Sequence, residues 1–505
     1  AQLIERLEIC LANVRRNEDD SSVYFQPTEG VTALHQYAEI GAKAKEMLAS
    51  STFKESASTF SSVMDLAVAL WGNLSMLSND LMDTENEDVA MGDYDEALAR
   101  KEALSNWLSK TSHSVVNEEI ENIKTKDNNH LRIIFSLLTG KQINAACQVA
   151  QSNGDSRLSL LLAQSSGNMI VRQWLLKQLD DWLEHKVDKF VTADRLKIYA
   201  LLAGELAWRG IEVCEDLDWK RAFALHLWYQ RSSSGLVSDA MTSYENSFKG
   251  RTSTGICAAE PSPSYLANMQ EILPERDPEE TEHKAIRDTC YHLIKLFCKR
   301  SHRLEYTLAP ASYTRYQLDA SLSWHLYQVL RSAGYNHLSE YYSSYLNASY
   351  AAQLEATGLW HWAVFVLMHI QDPLRREQAI QKVLVRYCIL DEDAEYNEKE
   401  TFLLNHLGVP VVWIHEAKVI RSRTENRPKD EAYHLLKSGH FNLSHEVILN
   451  GLASSAIINE EYDSIKELLV ELAPRENSSQ VNHWNTGGQI YLDYIKLWEK
   501  FNDIK

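Results

Sequence analysis

The sequence has few cysteines, no long apolar run and no excess of positive charge. Its 7 cysteines are odd in number, widely scattered and without Cys-x-x-Cys spacing, which argues against a disulfide framework or a zinc module. The longest apolar run, residues 359–370, is well short of the roughly 20 residues that span a bilayer. With 51 Lys and Arg against 70 Asp and Glu, the net charge of −19 repels a phosphate backbone. We therefore expect no membrane insertion and no direct nucleic-acid contact.

Motifs for phosphate binding and catalysis are also missing. Gly140-Lys141 lacks the earlier glycine and the following hydroxyl residue of a phosphate-binding loop. His415-Glu416 resembles the start of a zinc-protease motif, but position 419 is valine, where the second histidine is required. No Gly-x-Ser-x-Gly sequence occurs. We therefore expect no enzymatic activity and no cofactor.

One cluster keeps an enzyme alternative open. Cys290, His292, Cys298 and His302 are close in sequence, and thiolates together with imidazoles bind zinc. However, Cys290 and Cys298 share one helical face with apolar neighbours, while His292 points elsewhere. The favoured interpretation is two small core thiols, and the alternative is a zinc hydrolase built around Cys290 and His302.

A chain of 505 residues exceeds the usual single-core domain, so it divides into modules or extends as a helical stack. Near the start, Leu7, Ile9 and Leu11 alternate with less apolar residues, which predicts a β-strand. After Gly30 the apolar period becomes helical. The apolar stripe there consists of Phe60, Val63, Met64, Ala67, Leu70, Trp71, Leu74 and Leu77.

From His130 the sequence indicates short helices separated by turns. The segments HLRIIFSLL, QINAACQVAQ and SRLSLLLAQ are joined by Thr139-Gly140-Lys141 and by Ser152-Asn153-Gly154-Asp155. Glycine just past a helix end favours a left-handed cap, and Asp155 suits the next N-cap. The pattern predicts antiparallel helical hairpins.

Two stretches interrupt the helices, namely the acidic run 83–88 and the Ser- and Pro-rich residues 249–283, and both are predicted loops. Six tryptophans lie in apolar-periodic segments and are predicted to be core residues. These are Trp219, Trp228, Trp324, Trp360, Trp362 and Trp413.

Seven ordered stretches and a short final one resemble the nucleoporin ninety-six family. They include FSLLTGKQINAACQVAQSNGDSRLSLLLAQ, LDWKRAFALHLWY, PSPSYL, LSWHLYQVLRSAGYNHLS, SYAAQLEATGLWHWAVFVLMHI, PVVWIHEAKVIR and LASSAIINEEYDSIKELLVELAP, with YLDYI after them. The resemblance runs along nearly the whole chain. It implies the all-α ancestral coatomer element fold, an irregular U-shaped helical solenoid shared with vesicle-coat scaffolds.

The resemblance also implies a division of the chain. We expect a remnant of a β-blade segment with its linker in residues 1–30, a first trunk half in 31–128 and a crown in 129–302. The returning trunk half is expected in 303–374 and the tail in 375–505.

A structural scaffold at the nuclear pore, within its Y-shaped coat, is the function that the resemblance implies, together with support of messenger RNA export and protein import. The crown is expected to dock onto nucleoporin one hundred and seven, and the tail to reach nucleoporins eighty-five and one hundred and sixty. The coat protein Sec thirteen is expected as a partner only if strands upstream of this sequence complete the β-blade. A vesicle-coat scaffold sharing the same fold is the alternative.

The crown's docking surface is predicted in residues 130–165. Leucines there occupy more than one helical face, because Leu158, Leu160, Leu161 and Leu162 are nearly consecutive, and a helix that is apolar all round is buried on both sides. The predicted partner-binding residues are Phe135, Leu158, Leu161 and Leu162.

Overall fold

The computed structural model describes residues 2–19, 22–73, 93–164, 169–230, 235–251, 255–267, 286–391, 393–473 and 481–504. The chain forms two compact units. Unit 1 comprises residues 1–13 and 27–338, and unit 2 comprises residues 14–26 and 339–505. Helices account for most of the described residues, and the predicted all-α helical solenoid is confirmed as the fold class. The boundaries of trunk, crown and tail stay predictions.

The predicted β-strand at Leu7–Leu11 is wrong, because these residues belong to helix α1 (Gln2–Ala12). The structure buries Leu7 and Cys10, which are three positions apart as on a helical face, and Arg6 stacks 3.6 Å from the ring centroid of Phe60. A short apolar run fits both periods, and here packing selects the helix. The first strands come directly afterwards, as β1 (Val14–Asp19) paired with β2 (Ser22–Pro27).

Unit 1 contains α1, then α2 (Thr32–Met47), α3 (Lys54–Trp71), α4 (Asp93–Lys126), α5 (His130–Thr139), α6 (Ile143–Ser152), α7 (Ser156–Gln164), α8 (Met169–Glu184), α9 (Ala193–Ala203), α10 (Trp219–Leu225), α11 (Val237–Phe248), α12 (Ser264–Ala267), α13 (Thr289–Cys298), α14 (Leu304–Thr307) and α15 (Ser321–Ser332). Two short strands, β3 (Ala207–Trp208) and β4 (Ile211–Glu212), pair antiparallel between α9 and α10.

Early and late helices of unit 1 share one core. The phenolic oxygen of Tyr37 on α2 lies 3.1 Å from Nδ1 of His325 on α15, and both side chains are buried. Tyr37 also meets the Phe60 ring of α3 edge to face. The backbone N–H of Gly30 donates to the carbonyl oxygen of Ser332 over 3.2 Å. The chain therefore returns within unit 1 to pack against its own beginning.

The predicted helical hairpins are confirmed in α5, α6 and α7. Gly154 has φ +78° and ends α6 in the left-handed conformation, and Asp155 Oδ1 accepts a hydrogen bond from the Leu158 N–H over 3.3 Å. The first turn differs from the prediction. There Gly140 has φ −102°, and the left-handed residue is Lys141 at φ +60°.

Unit 2 contains β1 and β2, then α16 (Glu340–Ala356), α17 (Trp360–Leu367), α18 (Pro373–Tyr387), α19 (Ala394–Thr401), α20 (Val411–Thr424), α21 (Pro428–Lys437), α22 (Phe441–Val447), α23 (Ala453–Ile458), α24 (Tyr462–Leu472) and α25 (Gly488–Ile504). Strand β2 is held against the end of α17. The Phe25 N–H donates to the Met368 carbonyl oxygen over 3.1 Å, and the rings of Phe25 and Phe365 lie 5.5 Å apart.

Five of the six tryptophans predicted to be core residues are buried, and Trp228 is half-buried. The apolar stripe of α3 is confirmed as far as Trp71, since its members before Trp71 are buried. Leu74, Leu77, the acidic run 83–88 and residues 252–254 and 268–283 of the predicted loop lie outside the described residues. In the described parts of the chain, no helix combines the length and apolar character needed to cross a membrane.

Candidate functional site

The helices predicted to carry the docking surface are fixed by local caps and cross-links. Asn129 caps α5 by accepting a hydrogen bond from the Leu131 N–H over 3.0 Å, and its amide donates to Asp194 of α9 over 2.8 Å. Arg195 of α9 forms an ion pair with Asp155, the cap of α7. These links hold α5, α7 and α9 in a fixed arrangement, which favours a preformed binding surface.

The predicted partner-binding residues lie largely inside this arrangement. Leu158 and Leu162 are fully buried, whereas Leu161 and Phe135 are half-buried. The ammonium of Lys197 on α9 lies 4.7 Å from the Phe135 ring centroid, within cation–π range. Leu158 and Leu162 therefore serve the internal core, and Leu160, which is 61% exposed, is the leucine of α7 that faces solvent.

The next helix, α8, shows an exposed apolar face that was not predicted from the sequence. Trp174 is 70% exposed, Met169 is 61% exposed and Ile170 is 57% exposed. Ile170 and Trp174 are four positions apart and so lie on one side of the helix. We refer to Leu160, Met169, Ile170 and Trp174 as the crown face.

The exposure of Trp174 is not a consequence of a loosely packed helix. The other side of α8 buries Leu175 and Leu179, and the Trp182 ring lies 5.3 Å from that of Tyr199 on α9. Arg172 donates to the Trp228 carbonyl oxygen over 3.1 Å. Helix α8 thus has a complete buried face, and Trp174 is additional to it.

A sequence signal for Trp174 exists. Leu175, Leu179 and Trp182 follow one helical stripe, whereas Trp174, Lys177 and Asp181 follow the opposite one. A tryptophan that follows Ile170 on a stripe otherwise charged indicates a contact beyond the helix's own core, since large exposed aromatics are typical of binding hot spots.

The zinc alternative is not assembled in the structure. Nδ1 of His292 lies 3.0 Å from Nε2 of His302, with the rings stacked, so the two histidines of the cluster face each other. Among the described residues, no three His, Cys, Asp or Glu side chains are placed to hold a metal ion. Burial raises the pKa of the Cys290 thiol far above its usual range and that of Cys298 to about 12. Both thiols are therefore protonated at neutral pH and are poor nucleophiles.

The helical fold and its exposed apolar crown face are typical of one class, the helical scaffold proteins. The comparison with known sequences narrows this class. The sequence model of the family described as Nuclear protein 96 (Nup96) matches residues 132–421. The chain belongs to the Nup96 family.

Individual relatives agree with this assignment. The Nuclear pore complex protein Nup98-Nup96 of Drosophila melanogaster is 34% identical over 450 residues, which cover 88% of this chain and 22% of that protein. The protein of the same name from Dictyostelium discoideum is 31% identical over 451 residues, covering 86% and 21%. Nuclear pore complex protein NUP96 of Arabidopsis thaliana is 26% identical over 432 residues, covering 83% and 39%. The chain thus spans about a fifth of the first two relatives and two fifths of the third.

Proposed function

We propose that the chain is a structural scaffold subunit at the nuclear pore complex, where it joins neighbouring nucleoporins through its helix surfaces. Family membership supports this role, and the names of the relatives place those proteins in the nuclear pore complex. The observation that carries the proposal is Trp174, a large aromatic residue exposed on a helix whose own core face is already buried. The chain is not an enzyme and needs no cofactor in this role.

The crown face is the proposed contact with nucleoporin one hundred and seven. Leu160, Met169, Ile170 and Trp174 offer apolar area on helices that are already fixed by their neighbours, so little ordering entropy opposes binding. Trp174 is the proposed hot spot, because tryptophan is enriched among residues that dominate interface energies. The half-buried Phe135 and Leu161 stay candidates at the margin of this contact.

The remaining contacts follow from the family role. Unit 2 contains residues 375–505, the predicted tail, which would bind nucleoporins eighty-five and one hundred and sixty. Sec thirteen joins only where upstream strands complete the β-blade. Through these contacts the chain would stabilise the coat on the curved pore membrane without entering the bilayer, and so support messenger RNA export and protein import.

The test is calorimetric titration of the chain with the amino-terminal half of nucleoporin one hundred and seven from the same source. We expect one-to-one binding, weakened by Trp174→Glu by at least about thirtyfold, as for a hot spot of about 2 kcal/mol. Leu318→Glu is the matched control, because Leu318 is an exposed apolar residue of unit 1 outside the crown face.

Two results would contradict the proposal. One is the absence of binding by a chain that is folded by circular dichroism. The other is equal binding by the wild type and Trp174→Glu, which would remove the crown face from the contact. Tagged protein at endoplasmic-reticulum exit sites rather than at the nuclear rim would favour the vesicle-coat alternative.

A further inference from the structure

Unit 2 contains an open groove lined mainly by α18 and α20, with further residues from α21 and α22. Its volume is about 920 Å³. The floor is formed by the buried side chains of Val419 and Leu435, and the walls carry the exposed Leu374, Ile420 and Leu443. Exposed apolar side chains mark a binding site more often when they lie along a concave surface than when they lie on a convex one.

The shape of the groove suits a helix. Leu374, Gln378, Gln381 and Val385 follow one stripe of α18 and all line the groove. At about 1.5 Å of rise per residue, this stripe is roughly 16 Å long, which is three turns of a facing helix. Helix-in-groove recognition uses an apolar stripe of this length, with anchors at i, i+3 or i+4, and i+7.

The charged side chains at the rim of the groove indicate which charge a partner helix carries on its flanks. Lys382, Arg386 and Arg423 are exposed at the groove. The side chains of Arg386 and Arg423 are 58% and 52% exposed, whereas those of their ion-pair partners Glu355 and Glu431 are 12% and 14% exposed. The cationic groups therefore face solvent more than the carboxylates that pair with them.

The acidic residues of the groove are less available to a partner than these cationic residues are. Glu416 accepts a hydrogen bond from Gln381 over 2.9 Å and lies 3.6 Å from His440, and Glu377 is only partly exposed. An incoming helix therefore meets mainly cationic groups at the rim, and acidic residues on its flanks complement them.

A second copy of the chain is a poor occupant of the groove. Its exposed helical stripe in unit 2 is on α25, formed by Ile490, Tyr494, Leu497 and Phe501. The exposed Lys496 and Lys500 lie beside that stripe, together with the exposed Asp493. A second copy therefore places more exposed cationic than acidic groups against Lys382 and Arg423, so it complements them less well than a helix with acidic flanks.

We propose that the groove of unit 2 binds an amphipathic helix from a different protein, with apolar residues at i, i+3 or i+4 and i+7 and acidic residues on both flanks. The groove lies almost entirely in the predicted tail, so this inference rests on the proposed function and deepens it by giving the chemistry of a partner segment, whether or not the crown face docks a partner.

The test uses two fluorescein-labelled helical peptides of about 16 residues. Both carry leucines in the amphipathic pattern, one with glutamates on its flanks and the other with lysines at the same positions. Fluorescence anisotropy with the whole chain is expected to give a Kd about tenfold lower for the glutamate peptide. Lys382→Glu combined with Arg423→Glu is expected to reverse this preference.

Two further variants keep the test specific. Ile420→Glu introduces a charge at the groove wall and is expected to abolish binding. Ile458→Glu changes an exposed apolar residue of unit 2 outside the groove and is expected to leave it unchanged. Thermal melts establish that each variant is folded. Trp174→Glu is expected to bind the peptide like the wild type, which separates this result from the crown-face experiment.

Three outcomes would overturn the proposal. These are equal affinity for the two peptides, retained binding in a folded Ile420→Glu variant, and concentration-dependent dimerisation in sedimentation that Ile420→Glu abolishes. The last outcome would assign the groove to a second copy of the chain.

Discussion

The indole nitrogen of Trp71 donates a hydrogen bond of 3.1 Å to the phenolic oxygen of Tyr335, although 264 residues separate the two in sequence. Their rings meet edge to face, with centroids 5.6 Å apart. The guanidinium of Arg300 lies 5.2 Å from the Tyr335 ring centroid. This pair joins the end of α3 to the segment that follows α15, and so ties distant parts of unit 1 together.

Removing the hydrogen bond between Trp71 and Tyr335 is expected to destabilise unit 1. Tyr335→Phe keeps the ring but leaves the indole N–H without this acceptor, which costs about 1 kcal/mol of unfolding free energy. Trp71→Phe and the double variant complete a cycle in urea unfolding, with an expected coupling energy of about 0.5–1 kcal/mol. Additive effects of the two changes would contradict a direct contact.

Two neighbouring leucines of α7 provide a matched comparison of burial. Leu158→Ala opens a cavity in the core and is expected to cost about 3 kcal/mol of stability. Leu160→Ala truncates an exposed side chain and is expected to change stability by no more than about 0.5 kcal/mol. Thermal unfolding by calorimetry checks both. Similar losses for the two variants would mean that α7 is rotated relative to this structure.

Arg221 at the start of α10 holds two carboxylates from inside unit 1. Its side chain is buried, and its nitrogens lie 2.5 Å from both Glu119 and Asp218. Arg221→Met leaves two carboxylates without this partner. Because both are partly exposed and can hydrate, the expected cost is about 2–3 kcal/mol, below that of a fully buried pair.

The control for Arg221 is Arg132→Met. Arg132 pairs with Asp127 and Asp194 at the surface, and its replacement is expected to cost less than about 1 kcal/mol. Urea unfolding measures both variants. If both variants lose the same free energy of unfolding, burial does not distinguish the contributions of the two arginines to stability.

The pair His292 and His302 is expected to make stability depend on pH. Burial lowers the pKa of His292 to about 3 and that of His302 to about 4, with nearby positive groups as a smaller cause. Unfolded histidine has a pKa near 6.5, so below that pH the unfolded chain binds protons that the folded chain does not. The free energy of unfolding therefore falls as the pH is lowered from about 6.5 to about 4 for His302 and to about 3 for His292.

Melting temperatures at pH 7.5 and pH 5 test this dependence. His302→Gln removes one of the two imidazoles and is expected to narrow the difference in melting temperature between pH 7.5 and pH 5. His185→Gln, at an exposed histidine of unit 1, serves as the control and is expected to leave it unchanged. If His302→Gln leaves the difference in melting temperature between pH 7.5 and pH 5 unaltered, the pair is not a source of the pH dependence.

The turn chemistry around α6 shows how far local sequence carries a prediction. Gly154 and Asp155 act as the sequence indicates, because a cap depends on residues within one turn of it. Gly140 does not adopt the predicted left-handed conformation, which is found at Lys141 instead. There the Lys141 ammonium also hydrogen-bonds Ser105 of α4 over 2.7 Å, a contact outside the local sequence.

The sequence by itself determined the helical class, the helices around residues 130–164 and the family, because periodicity, caps and family motifs are local and ordered along the chain. Only the tertiary structure decided that Leu7 lies in a helix, that Leu160 rather than Leu158 faces solvent, that His292 meets His302 and that Trp71 meets Tyr335. Each depends on tertiary packing within unit 1, which brings together side chains that local periodicity does not relate.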